Sequence, residues 1–294
     1  MRCGIVILPE SPWAEQRSLW QRAEALGFDH AWTYDHLVWA GLPDAPWFGT
    51  MPTLTAAATV TSTIRLGTYV SSPNFRHPVT FMRDILSVDD ISGGRFTCAL
   101  GVGGDLDSRI LGGPELTTRQ RVDRFHEFVP LLDELLRRDH VTSHGTYFSA
   151  EDARTLPGTV QQPRVPFVVA ANGPRNLALA VRHGQGWVTT GRGGDSDEQW
   201  WAGVRELSAR LDDQLDRAGR PRDSLDRYLS VDASGTFALQ SVDRFAEVAG
   251  RAAELGFTDI VTHWPRAEGV YAGSPDVLDG VASEVLPGLR DAAT

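Results

Sequence analysis

The sequence predicts an α/β chain closed into a (β/α)8 TIM barrel as a single domain, and three observations predict it. Apolar strand-like runs alternate with amphipathic helix-like stretches roughly eight times along the 294 residues, a length close to the ~250 residues that such a barrel takes. A helix-to-strand joint is written twice, as AEALGFDHAW at 23–32 and AAELGFTDIV at 252–261. In both, Gly supplies the φ > 0 that ends a helix and the next Phe folds back on the last turn. No GxGxxG follows the first strand, which counts against an open dinucleotide-binding sheet, the runner-up arrangement.

Taken in order, Cys3 to Leu8 reads as strand one. Ser11 is an N-cap with Pro12 at the first helical position, and Trp13, Trp20 and Ala23 share a face of the helix that ends at Gly27. Asp29 to Tyr34 is strand two, with Asp35-His36 at its C-terminal end, and a Trp- and Pro-rich excursion leads to a helix over Pro52 to Thr61. The clearest βαβ unit follows: strand Ile64 to Val70, helix Val79 to Ile91, strand Arg95 to Leu100. Phe81, Ile85 and Val88 fall on one face of its helix, and Gly93-Gly94 turns the chain back. A helix over Thr118 to Arg137, bent at Pro130, precedes an irregular insertion from Asp139 to Pro166 between helix four and strand five. Tyr147-Phe148 is expected in a small hairpin there, and a loop of that length is usually functional. Strands Phe167 to Ala171, Gly186 to Thr190, Tyr228 to Ala233 and Asp259 to His263 then alternate with helices at 174–182, 198–218, 243–254 and 277–289.

Composition narrows the function. The 28 basic residues are outnumbered by 38 acidic ones and form no basic stripe, which argues against a nucleic-acid partner. No apolar run approaches the ~20 residues of a membrane span. The opening MRCGIVILPE has no small-residue cleavage site and reads as a first strand, so a soluble, cytoplasmic protein is expected. Cys3 and Cys98 lie in buried strands as small hydrophobes, so neither a metal site nor a disulfide is expected. Every basic residue apart from histidine is an arginine, which removes lysine nucleophiles and Schiff bases.

In a barrel the site forms where strands end. Those ends carry Asp35-His36, Ser71 to Asn74, Gly101 to Asp105, Ala171-Asn172-Gly173, Thr190-Gly191, Asp232 and His263-Trp264. The set is polar and small, suited to a pocket where backbone closely approaches a flat or phosphorylated ligand. The AANGPR segment at 170–175 is the most specific part: a strand end, a turn and Pro174 at a helix start leave N–H groups and a helix dipole for phosphate. Asp35-His36 reads equally as a capping pair or as acid–base machinery. His263 and Trp264 read as site residues or as closure of the barrel mouth.

Five segments, GFDHAWTYDHL (27–37), RLGTYVSSPNFRHP (65–78), DISGGRFTCALGVGG (90–104), VVAANGP (168–174) and GQGWVTTG (184–191), together resemble the luciferase-like monooxygenase superfamily. The resemblance is strongest to its branch that uses the deazaflavin coenzyme F420. It implies a (β/α)8 barrel enzyme, an F420-dependent oxidoreductase acting on a small organic substrate, in a homodimer. Hydride would pass to an activated C=C or C=N bond or come from an alcohol. Under the resemblance His36 serves proton transfer, Asp35 assists or orients it, and Trp39 matches the tryptophan shortly after that pair. A non-proline cis peptide behind the ring is implied at Tyr69–Val70. Ala171, Asn172 and Gly173, with Thr190 and Gly191, would receive the phosphate tail. With no lysine present, Arg175 and Arg192 either meet that tail's charge or are solvated loop charges. Under the resemblance Gly103 and Gly104 would border the ring site. Some deazaflavin dehydrogenases carry a Glu proton donor after GxG, where this chain has Gly103-Gly104-Asp105, so Asp105 is the candidate acid from a shifted position. Two other readings stay open: an FMN-dependent two-component monooxygenase, and a non-catalytic partner subunit of a luciferase-like heterodimer.

Overall fold

In the computed structural model, which describes residues 1–291, strands β1 (Arg2–Val6), β2 (His30–Thr33), β3 (Arg65–Ser71) and β4 (Phe96–Leu100) run parallel and neighbour one another in sequence order. A detached antiparallel hairpin, β5 (Val141–His144) and β6 (Ser149–Ala153), follows. It is the structured part of the expected insertion, with Tyr147 and Phe148 in its turn. Strands β7 (Phe167–Ala170), β8 (Gly186–Thr189), β9 (Asp226–Ser230) and β10 (Asp259–His263) complete the ring, and β10 pairs back onto β1. The (β/α)8 barrel is therefore the architecture observed.

The crossover helices are α1 (Trp13–Ala25), α2 (Thr50–Val60), α3 (Pro78–Ile91), a short α4 (Leu106–Ile110), α5 (Thr118–Leu135), α6 (Pro174–His183), α7 (Asp197–Arg217) and α8 (Val242–Glu254). Phe81, Ile85 and Val88 of α3 are all buried, as their spacing predicts, and they join one apolar layer between strands and helices with Phe125 and Phe128 of α5. Each such side chain contributes about 1.5–3 kcal/mol of burial. None of the helices is long and apolar enough to cross a membrane among the described residues.

The duplicated joint behaves as read. Gly27 and Gly256 have φ of 86° and 78°, and Phe28 and Phe257 each donate a backbone bond of 3.1 Å to the helix, at Ala23 O and Ala252 O. Three elements differ from expectation. Helix α1 starts at Trp13, because Pro12 holds an extended ψ of 148° and stands outside it. Strand β9 stops at Ser230, and Val231–Ser234 turns as a 3-10 helix, which swings Asp232 out of the strand. The closing helix is broken into α9 (Asp276–Gly280), a π turn (Val281–Val285) and α10 (Leu286–Asp291). Pro287 in this last segment lacks an N–H and its ring crowds the carbonyl one turn back, which favours a locally widened turn.

Inside the ring, Val6, Trp32, Tyr69, Ala99, Val168, Val188, Tyr228 and Val261 form a second cluster. Trp32 fits because position 67 is glycine: a Cβ there would lie 2.3 Å from the indole ring. Below Trp32, at the N-terminal end, its Nε1–H donates to His30 Nδ1 at 2.6 Å, and His30 Nε2–H donates to Asp259 Oδ1 at 3.0 Å. Arg2 closes the chain with a two-pronged contact to the same carboxylate at 2.8 and 2.7 Å.

Candidate active site

The opposite, C-terminal end opens into a cleft of about 340 Å³, within the ~300–1,000 Å³ of small-molecule sites. Tyr34, His36 and Trp39 from the segment after β2 form one wall, with Tyr69 and Val70 of β3 beside them. The other wall comes from β7 and β8: Ala170, Ala171, Asn172, Val188, Thr189 and Thr190. Tyr69–Val70 is a cis peptide, as the resemblance implied. The Tyr69 hydroxyl is buried with no hydrogen-bond partner among the described residues. Burial also holds this phenol well above its ordinary pKa.

Of the residues expected at the site, His36, Trp39, Tyr69, Val70, Ala171, Asn172 and Thr190 line the cleft. Gly103, Gly104, Gly173 and Gly191 stand in the adjoining loops. Gly103 has a φ of 68°, and a Cβ on it would strike Asn74 Nδ2 at 2.2 Å. The loop from β4 therefore requires glycine there.

Two expectations need correction. Asp35 faces away from the cleft: it is fully buried and clasped by Arg76, with Nε to Oδ2 at 3.1 Å and Nη2 to Oδ1 at 2.6 Å. It does not orient His36. That role falls to Asp107, which the sequence reading missed. His36 Nδ1–H donates to Asp107 Oδ2 at 2.8 Å, and the backbone N–H of Leu37 donates to Oδ1 at 2.8 Å. A carboxylate only accepts, so Nδ1 carries its hydrogen and Nε2 is the free acceptor of the neutral ring. Asp105, two residues earlier, stands at the N-cap position of α4 and is not among the cleft residues. Arg175 and Arg192 each stand in an exposed ion pair, Arg175 with Asp123 at 2.7 Å and Arg192 with Glu206 at 3.5 Å, and neither lines the cleft.

The segment expected to receive the tail keeps the backbone feature that suggested it. Gly173 is the N-cap of α6 and provides no side-chain cap, so first-turn N–H groups remain for an anion. The Asn172 amide is committed, donating to Gly191 O at 3.0 Å and accepting from Thr189 Oγ1 at 2.6 Å. It braces the β7 and β8 ends against each other. Beside its neutral walls the cleft has one imidazole, that of His36.

A second hydrogen-bonded chain reaches the same wall. The Tyr34 hydroxyl lies 2.7 Å from His263 Nε2, and His263 Nδ1–H donates to Asp232 Oδ2 at 2.7 Å. Asp232 also accepts from Thr262 Oγ1 at 3.0 Å, His263 N at 2.8 Å and Ala238 N at 2.9 Å. The His263 and Asp232 side chains are only 2% and 0% exposed. Tyr271 stacks on His263 at 3.7 Å and on Trp39 at 6.2 Å between ring centres. Its hydroxyl is 3.3 Å from that of Tyr34. Burial, then the neighbouring Tyr271, pushes the Tyr34 phenol well above its ordinary pKa.

Fold and site together define a class: a parallel α/β barrel whose C-terminal mouth offers an uncharged cleft and one oriented imidazole. The chain belongs to the luciferase-like monooxygenase family, whose model matches residues 1–235. An F420-dependent glucose-6-phosphate dehydrogenase of Microbacterium testaceum is 32% identical over 220 residues, covering 72% of this chain and 61% of that protein. The protein of the same description from Beutenbergia cavernae is 31% identical, covering 91% of both chains. An F420-dependent secondary alcohol dehydrogenase, solved in complex with an F420-acetone adduct, superposes with a TM-score of 0.81 at 16% identity over 99% of both chains.

Proposed function

We propose that the protein is an F420-dependent oxidoreductase that transfers hydride between the deazaflavin, held in the C-terminal cleft, and a small neutral organic substrate. The observation that carries this reading is the His36–Asp107 pair, an oriented imidazole on the wall of an otherwise uncharged cleft. When bound, the coenzyme supplies or accepts the hydride itself. The residues present suit it: Val70, Ala170, Ala171 and Val188 offer apolar surface to a flat ring, and the orphaned Tyr69 hydroxyl offers a polar atom. The first turn of α6 after Gly173 offers N–H groups to an anionic tail.

His36 handles the proton. Asp107 fixes the imidazole so that Nε2 takes a proton from an alcohol, or returns one to the heteroatom of a reduced double bond. Trp39 and Tyr34 pack on the same wall with ring centres 5.1 Å apart and form an aromatic surface for the substrate. The cleft-lining side chains include no arginine. A neutral substrate therefore fits better than a sugar phosphate, although the relatives above are described as glucose-6-phosphate dehydrogenases.

Titrating the apoprotein with F420 and with FMN tests this reading. Quenching of deazaflavin fluorescence at micromolar protein is expected, with FMN at least about tenfold weaker, or about 1.4 kcal/mol. Tighter binding of FMN than of F420 would move the protein to the monooxygenase branch.

A further inference from the structure

Hydride transfer between two organic molecules leaves charge to be balanced on both: one proton must leave the donor and another must reach the acceptor. His36 serves one of these two, given the function proposed above, on which the present inference rests. Two further phenol-bearing side chains line the cleft, those of Tyr34 and Tyr69. Tyr69 has no partner to refill it. Tyr34 has a supply line behind it, through His263 Nε2 at 2.7 Å to Asp232 at 2.7 Å. Its ring lies 6.2 Å from that of His36, edge to face.

We propose that Tyr34 is the second proton-transfer residue of this site, serving the reaction partner that His36 does not, with His263 and Asp232 as the relay that recharges it. The direction of the hydrogen bonds is what makes the relay work. With His263 neutral, Nδ1–H is committed to Asp232, so the Tyr34 O–H points to Nε2 and is held away from the cleft. With His263 protonated, Nε2–H donates to the Tyr34 oxygen, and the phenol hydrogen is released to the cleft. The Tyr34 O–H bond then breaks, and its proton goes to the atom that has gained negative charge from the hydride, whose electron pair forms the new C–H bond. The phenolate takes the Nε2 proton, which leaves a neutral imidazole. Tyr34 O–H then passes its proton on to Nε2 and takes one from the Tyr271 hydroxyl, 3.3 Å away, which refills from solvent, so that His263 is protonated again. In the oxidising direction the steps reverse.

A purely structural tie between β2, β9 and β10 is the competing explanation, and two features count against it. The Asp232 carboxylate is buried with no arginine within ion-pair distance among the described residues, so that its charge faces three neutral donors and the His263 imidazole alone. The chain also ends on a phenol that lines the cleft, where a structural tie gains nothing by ending.

Protein labelled with ¹⁵N-histidine, titrated with oxidised F420, tests the relay without turnover. The coenzyme is expected to shift the His263 Nε2 resonance in wild type and to leave it unmoved in Tyr34→Phe, whose F420 affinity stays within about threefold of wild type. The groups facing His263 are Asp232, Tyr34 and Tyr271, so Asp232→Asn serves as the control that moves the resonance whatever occupies the cleft. With propan-2-ol as donor or 2-cyclohexen-1-one as acceptor, whichever wild type uses, Tyr34→Phe is expected to lose about 100-fold or more in turnover and His263→Gln about tenfold. A His263 resonance indifferent to F420, or a Tyr34→Phe enzyme as fast as wild type, overturns the relay and leaves the proposed function standing. Failure of wild type to bind F420 at all overturns the proposed function and the relay together.

Discussion

The two ends of the barrel each bury a histidine against an aspartate and an aromatic donor, yet they are built to different ends. At the N-terminal end Trp32, His30 and Asp259 run in a line, and Arg2 neutralises the carboxylate from outside. Every hydrogen-bonding edge of His30 is used. At the C-terminal end His36 keeps Nε2 for the cleft, and the His263–Asp232 pair ends on the Tyr34 hydroxyl without a compensating arginine. The same residue types therefore make a plug at one end and, in the function proposed above, proton-handling groups at the other. What separates them is whether a cation closes the chain or a ligand-facing atom does.

That contrast predicts separable phenotypes. The largest effect belongs to the plug. Asp259→Asn leaves Arg2 and His30 without their shared carboxylate and is expected to cost about 3–5 kcal/mol in urea unfolding. Turnover per folded molecule should stay unchanged. Burial alone would raise the Asp259 pKa, but hydrogen bonds and charge from His30 and Arg2 more than offset it and hold the group below its ordinary value. Its contribution is thus present at neutral pH and lost as pH falls through the acid range.

His36→Ala is the counterpart at the other end. Turnover is expected to drop about 10²–10⁴-fold, with F420 affinity and unfolding midpoint close to wild type. A His36→Ala protein that turns over normally would return the imidazole to a capping role. Asp107→Asn sits a step lower, because it misorients the ring without removing it. About a tenfold loss of kcat with little change in KM is expected, and a neutral result would mean that His36 finds its orientation unaided.

The smallest effect tests whether the N-terminal end is stabilised by carboxylates beyond Asp259. Glu24 accepts backbone N–H bonds from Ser62, Thr63 and Ile64 at 2.8, 2.6 and 2.9 Å. Partial burial would raise its pKa, but these bonds win and lower it from 4.5 to about 2. The depressed value means stability that is complete above about pH 4.5 and disappears as pH falls towards 2. Glu24→Gln is expected to cost about 1–2 kcal/mol at pH 7 and to flatten the acid limb of stability against pH.

The sequence showed where strands end, and therefore which residues gather at the mouth, because strand and helix periods are local. It also placed the repeated Leu-Gly-Phe joint, whose geometry depends on a few adjacent residues. It did not show which member of Asp35-His36 would face the ligand. Successive residues of an extended segment point to opposite sides, and only the position of Arg76 decides that Asp35 goes inward. Asp107 was illegible for a related reason: its partner is 71 residues away, and a five-residue helix leaves no period to read. What Arg175 and Arg192 would meet was not legible, because a surface arginine in a chain with more acidic than basic residues also finds a carboxylate locally.

The segment that carries Asp107 also sets a clock. Helix α4 has five residues, too few to hold itself together, and it is bracketed by Gly103-Gly104 and Gly112-Gly113, with φ of 68° at Gly103 and 69° at Gly112. A segment of this kind opens as a unit at a small fraction of the free energy needed to unfold the barrel. The lifetime of the His36–Asp107 hydrogen bond is therefore expected to follow α4 rather than the strands that present His36. Relaxation dispersion on the amides of 104–113 would report it directly, in the microsecond-to-millisecond range where such local openings fall.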